Sequence, residues 1–268
     1  MTRVEALRRI ALTVTDAARA ESFYGEALGF ELVSRAPHVM RLGAQQIELA
    51  TYDPPGAPYP PHSVSCDLWF QHFAIVVSDM AAAHARVVAQ AEYAPISRAG
   101  PRRLPPETGG VTAFKFRDPD GHPLELLEFA ADATPAPWRH AGDTLHLGID
   151  HSAIAVSDIE RSIAFYRDRL GLALAGRSHN RGPEQADLDG LDDPVVDVVA
   201  LAMPGGSKPH LELLGYRRPR GRPIAPGASA RDVAMTRLVF ELERGEAGAL
   251  RDPDGHLLVL AQRSLSSR

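Results

Sequence analysis

The sequence holds one cysteine in 268 residues, few aromatics, no surplus of basic charge and no long apolar run. Each shortage removes a class of protein. With Cys66 alone no internal disulfide can form, so a stapled secreted scaffold is excluded and a reducing cytoplasm is the expected location. Cys66 stands between polar residues beside a Pro-rich link, a poor setting for a catalytic nucleophile. A net charge of -5, with no local Lys/Arg cluster, speaks against a nucleic-acid surface. The N-terminus has no apolar signal-peptide core, and no stretch could span a membrane as a helix. What remains is ordinary: 44% apolar and 24% charged residues suit a soluble globular protein. The chain is long enough for two domains, or one large one with an ample core.

What the sequence does have is repetition. "VTDAARAESFYGEALGF" (14–30) and "VSDIERSIAFYRDRLGL" (156–172) match without a gap at an offset of 142. Each reads as a strand, a capped helix and a strand. Asp16 and Asp158 are the expected N-caps, and Gly29 and Gly171 sit where a helix end wants φ > 0. A third opening is "HFAIVVSDMAAAHARVV" (72–88), and a worn fourth starts near "TRLVFELER" (236–244). The copies share an ending too: Glu48, Glu125, Glu212 and Val259 each sit between two aliphatic residues in a strand. "RDPDGH" precedes this ending twice, at 117–122 and 251–256.

The spacing from Glu48 to His72 is 24 residues, and the same 24 lead from Glu212 to Thr236. The chain is therefore read as a duplicated pair of modules, with one domain at 1–130, a linker at 131–146 and a second domain at 147–268. Module 4 is shortened: 23 residues separate Thr236 from Val259, against 53 between His72 and Glu125. The missing stretch is the length of a helix and one strand.

These units resemble the vicinal oxygen chelate superfamily, which includes glyoxalase I, extradiol dioxygenases, methylmalonyl-CoA epimerase, fosfomycin-resistance thiol transferases and bleomycin-resistance proteins. The residues that carry the resemblance are the openings "QHFAIVVSD" and "DHSAIAVSD", the "FY…LGF" helix and the "DPDGH.LEL" ending. It covers nearly the whole chain. It implies an α+β fold of repeated βαβββ modules, in two pairs, forming cupped, mostly antiparallel sheets with helices outside. It also implies metal ligands at the His of a first strand and the Glu of a last strand. Those positions hold Glu48, His72, Glu125, His151 and Glu212.

The residues support this reading physically. Strand alternation puts Leu124 and Leu126 on the face opposite Glu125, leaving the carboxylate on the concave side. Ala74 and Val76 beside His72, and Ala153 and Ala155 beside His151, leave room above the sheet. A carboxylate among apolar strand residues is costly unless paired or bound to a cation. His122 and His256 follow the DPDG turn and read as turn residues. His179 and Arg102-Arg103 are polar loop residues that could face a pocket or only water.

By module the inventory is Arg9 and Glu48, His72 and Glu125, His151 and Glu212, Thr236 and Val259. If modules 2 and 3 face each other, one site gathers His72, Glu125, His151 and Glu212, and the other cannot hold a metal. If neighbours pair instead, Glu48, His72 and Glu125 share one half, while His151 and Glu212 share the other. The crossed arrangement is the more economical. The expected cofactor is one divalent ion (Zn, Ni, Co, Mn or Fe), with Glu125 and Glu212 as catalytic carboxylates. The expected activity is a glyoxalase-type lyase or isomerase on a small molecule with adjacent oxygens. The rivals are an extradiol-type Fe²⁺ dioxygenase and a metal-free drug-sequestering protein. The expected partners are that small molecule and no nucleic acid or membrane; a homodimer is allowed.

Overall fold

The computed structural model describes residues 2–139 and 144–263. Residues 140–143 of the expected linker, and 264–268 of the expected second domain, lie outside this set. Module 1 runs β1 (Arg3–Thr13), α1 (Ala17–Leu28), β2 (Glu31–Arg35), β3 (His38–Leu42) and β4 (Gln45–Ala50). Module 2 runs β5 (Gln71–Val77), α2 (Met80–Val88), the short β6 (Ala94–Pro95) and β7 (Arg102–Arg103), then β8 (Thr112–Arg117) and β9 (Pro123–Glu128). Module 3 runs β10 (His146–Ala155), α3 (Ile159–Phe165), β11 (Ala173–Arg181), an inserted α4 (Pro183–Asp189), β12 (Val195–Ala202) and β13 (His210–Arg218). Module 4 keeps β14 (Arg237–Arg244), β15 (Gly248–Arg251) and β16 (Leu257–Gln262), with no helix among the described residues.

The helix ends follow local chemistry. The carboxylate of Asp16 accepts from the N–H groups of Ala18 and Arg19, and those of Asp79 and Asp158 accept from Ala82 and Arg161. Each satisfies N–H groups that a helix start leaves open. Gly29 ends α1 at φ 73, and Gly171 takes φ 82 after a π-turn at Tyr166–Leu170, where a side chain would be strained.

Two sheets result, in the orders β15-β16-β14-β1-β4-β3-β2 and β11-β12-β13-β10-β5-β9-β8-β6, with β7 on β8. Module 1 thus pairs with module 4, and module 2 with module 3. The arrangement is the crossed one. Inside each module the first and last strands are parallel neighbours, while the other ladders are antiparallel. That parallel contact sets a first-strand residue beside a last-strand residue. One continuous apolar core joins the helices to the convex faces; Leu124, Leu126, Leu211 and Leu213 are all buried in it. Each such leucine contributes about 1.5–3 kcal/mol relative to an exposed one.

The repeated turn is a joint. Tyr24 of α1 donates its hydroxyl to Asp118 at 2.8 Å, and Tyr166 donates to Asp252 at 3.1 Å. Asp120 and Asp254 receive Thr15 and Ser157 in the same manner. His122 Nε2 reaches the Val233 carbonyl at 3.1 Å, and His256 Nε2 reaches that of Ala155 at 2.9 Å. The turn therefore locks the two modules of one half together. This is a structural duty, and both copies perform it. No helix among the described residues is long and apolar enough to cross a membrane.

Candidate metal centre

Strands β5 and β10 lie antiparallel at the middle of the nine-stranded sheet, flanked by β9 and β13. The register sets His72 opposite Ala153 and His151 opposite Ala74; the same two alanines sit beside Glu212 and Glu125. Four polar side chains thus surround two methyl groups. His72 Nε2 lies 2.8 Å from Glu125 Oε2, and His151 Nε2 lies 4.0 Å from the same oxygen and 3.7 Å from Glu212 Oε2. Donor atoms of His72, Glu125 and His151 all fall within 4.8 Å of one another. With Glu212 the set is four, two from each half of the chain.

The electrostatics keep both carboxylates ionised. Burial alone would raise the Glu125 pKa, yet Lys115, His72 and His151 bring it below the ordinary value. Burial is likewise outweighed at Glu212, where His151 and His210 hold the carboxyl at about 2. His151 is pushed up to about 9 against burial by Glu212, Asp150 and Glu125. Burial lowers His72, despite its bond to Glu125. Two ionised carboxylates therefore converge on imidazole nitrogens in an enclosed site. Such a donor set of two nitrogens and two carboxylates fits a borderline divalent ion.

A further group orients His151. Its Nδ1 is 3.2 Å from Asp150 Oδ2, which leaves Nε2 facing the glutamates. Asp150 is itself fixed by Lys208 at 2.8 Å and by the Trp138 indole N–H at 3.0 Å. A carboxylate behind a histidine in this way fixes its tautomer and raises its strength as a ligand. Asp150, His151 and His210 also cluster, but Lys208 already neutralises that carboxylate.

The comparisons agree with the fold. The sequence profile of the glyoxalase/bleomycin resistance protein/dioxygenase superfamily matches residues 6–126 and 148–243. This chain belongs to that superfamily. Among solved structures, glyoxalase I from Zea mays superposes with a TM-score of 0.62 at 17% identity, over 98% of this chain and 92% of that one. A putative dioxygenase from Bacillus subtilis subsp. subtilis str. 168 gives 0.57 at 14% identity, over 98% and 87%. At such identities the likeness shows the fold alone. No curated protein matches.

Within the superfamily fold, the seven-stranded sheet carries the other concave face, and Glu48 lies there. It is bound to Arg9 at 2.7 Å and is not brought to the quartet. The residue corresponding to His72 in this sheet needs correction. Ala11 pairs with Arg237 as Ala153 pairs with His72, so Arg237, and not Thr236, takes that place. The segment before β14 holds one residue more than its counterpart before β5, and equal counting from the two glutamates missed it. Val259 stands beside Val239 as Glu125 stands beside Ala74, as expected.

Above the quartet is a cavity of about 230 Å³. Lys115, Ser178, Asn180, Gln185 and Tyr216 line it together with aliphatic side chains. His179 points away and pairs with Asp197, and Arg102 is bound to Asp187; neither lines the cavity, whereas Ser178 and Asn180, the neighbours of His179 on the strand, do. Cys66 is buried, and burial pushes its thiol up to about 11, so it is no nucleophile at neutral pH.

Proposed function

We propose that the chain is a lyase or isomerase of the glyoxalase type, dependent on one divalent ion and acting on a small molecule with oxygens on adjacent atoms. The observation that carries this reading is the convergence of two imidazoles and two carboxylates, from two modules, on one pair of alanines. His72, Glu125, His151 and Glu212 would hold the ion, which supplies Lewis-acid chemistry at a substrate oxygen when bound.

The chain's own residues do the remaining work. Asp150 holds the His151 ring in place through Nδ1. Glu125, 7% exposed and fixed by His72, suits a stationary ligand. Glu212 is the freer carboxylate: its side chain is 20% exposed, and its hydrogen-bond partner is His210 Nε2 at 3.3 Å. It is assigned the proton transfer at the carbon beside the substrate carbonyl, with His210 steadying its charge. The aliphatic walls exclude water from that carbon.

The test is deuterium exchange into small α-hydroxy ketones and aldehydes, followed by NMR with the metal-loaded protein. Glu125→Gln and Glu212→Gln are each expected to abolish the exchange while leaving the fold intact. Full activity in both variants would sink the assignment. A second reading, an extradiol-type Fe²⁺ dioxygenase, is favoured by the tight His72, Glu125 and His151 group with Glu212 set apart, since two histidines and one carboxylate suit such iron. Oxygen uptake by the Fe²⁺-loaded protein with a catechol separates the two. A chain that takes up no metal at all would leave the metal-free binding role.

A further inference from the structure

The cavity over the quartet restricts what can occupy it. Its volume of about 230 Å³ is below the usual range of roughly 300–1,000 Å³ for drug-sized ligands.

Charge restricts it further. Lys115 is the one lysine or arginine among the described lining residues, and its Nζ is bound to Asp189 Oδ1 at 2.7 Å with both side chains buried. The other Asp189 oxygen accepts from Gln185 at 2.7 Å and Tyr216 at 2.9 Å. Glu125 and Glu212 together balance a divalent ion. No unspent positive charge is then left for an anionic arm of a ligand, whose burial without a partner is costly.

The polar far wall is also self-contained. Ser178 donates to Asn180 at 2.7 Å, Asn180 to Gln185 at 3.1 Å, and Gln185 on to Asp189. The rest of the wall is mostly apolar: Leu104, Leu127 and Leu188 cluster with Val111 and Phe129 on one side, with Val196 and Leu214 on the other. Apart from Lys115, Tyr216 and the self-paired far wall, the surface beyond the quartet is mostly hydrocarbon.

Resting on the reading of the quartet as a metal centre, we propose that the ligand is small and uncharged. It carries its adjacent oxygens at one end and a single compact apolar group at the other. Phosphorylated and carboxylated molecules are rejected by the same site.

The experiment uses the full chain loaded with Co²⁺, whose visible bands report both loading and ligand exchange. Three chelating probes are titrated: acetohydroxamate, benzohydroxamate and 4-carboxybenzohydroxamate. Benzohydroxamate is expected to bind at least 10-fold tighter than acetohydroxamate, and at least 10-fold tighter than its carboxylated form. Equal or tighter binding of the carboxylated probe overturns the proposal while leaving the metal centre standing. Equal binding of the two uncharged probes overturns the apolar-group assignment. Absence of Co²⁺ bands overturns the metal reading itself, and this inference with it.

Discussion

The two sheets are built from the same unit, yet their concave faces solve one electrostatic problem in different ways. Where the nine-stranded sheet sets His72, Glu125, His151 and Glu212, the seven-stranded sheet sets Arg237, Val259, Arg9 and Glu48. A guanidinium has no lone pair to offer a metal and is always charged. Arg9 therefore acts as a built-in cation, satisfying Glu48 at 2.7 Å. Arg237 donates to Thr13 and to the Ala230 carbonyl, fixed within the sheet. With two arginines present, a second carboxylate is not required, and Val259 fills the place. Even the position behind the histidine is reversed: Arg8 corresponds to Asp150. One face carries its own cations in Arg9 and Arg237; the other presents the donor set to which the proposed ion is assigned. The shared DPDGH turn survives in both because its duty lies in the joint with Tyr24 or Tyr166.

The comparison can be broken by making the quiet face resemble the other. The triple variant Arg9→His, Arg237→His, Val259→Glu is expected to raise metal content from one to two ions per chain. Elemental analysis after incubation with Zn²⁺ checks this. Content that stays at one would show that the backbone of the seven-stranded sheet, and not only its side chains, forbids a site.

A smaller effect is expected from Asp150→Asn, which keeps the shape but weakens the hold on the His151 ring. Loss of such a supporting carboxylate typically costs 10–100-fold in metal affinity. Competitive Zn²⁺ titration reads it, and unchanged affinity would mean that Asp150 serves only Lys208 and Trp138.

These contrasts also show what a sequence can display. The 142-residue offset made modules 1 and 3 and their Asp caps legible, and the shared strand openings and endings, with the family resemblance, pointed to the four quartet residues. Asp150 was not. It stands next to His151, and strand alternation would send it to the other face. A bulge between Ile149 and His151 breaks the alternation and puts both on one side. Lys115 lies opposite Glu125 across β8 and β9, which counting back from the turn could have given. Its partner Asp189 belongs to α4, an insertion with no counterpart in module 1, so no repeat announced it. His210 was within reach, two residues before Glu212 on one strand face.

The smallest effects concern the joints, where the two halves share the tyrosine contact but not the histidine one. Asp118→Ala and Asp252→Ala each leave a buried tyrosine hydroxyl unpaired, at a cost of about 1–3 kcal/mol, with metal content unchanged. Urea unfolding measures both; Asp118→Ala is expected to cost more, since it also strips buried His122 Nδ1 of its partner at 2.9 Å, and an equal or smaller loss would show that contact to be unimportant. The Asp118 joint also carries a pH signature. Despite burial, His122 and Tyr24 bring the Asp118 carboxyl below its ordinary value, so its contribution is present above the unfolded pKa of about 4 and fades as pH falls. Burial opposes protonation of His122, but Asp118 raises its pKa. That contribution is full below about 6.5 and is lost as pH rises through the folded value. The joint is therefore strongest in the window between, and His122→Gln should flatten the alkaline side of the stability profile.

The central claim is that one ion is held by residues from both halves, and three variants test it directly. Zn²⁺ titration at one pH should show affinity falling at least 10-fold in His72→Ala and in Glu212→Ala, and scarcely changing in Glu48→Ala, because each quartet member removed leaves fewer donors to replace the water of the ion. Glu48→Ala damaging affinity while Glu212→Ala leaves it intact would contradict the account and move the site into the first half of the chain.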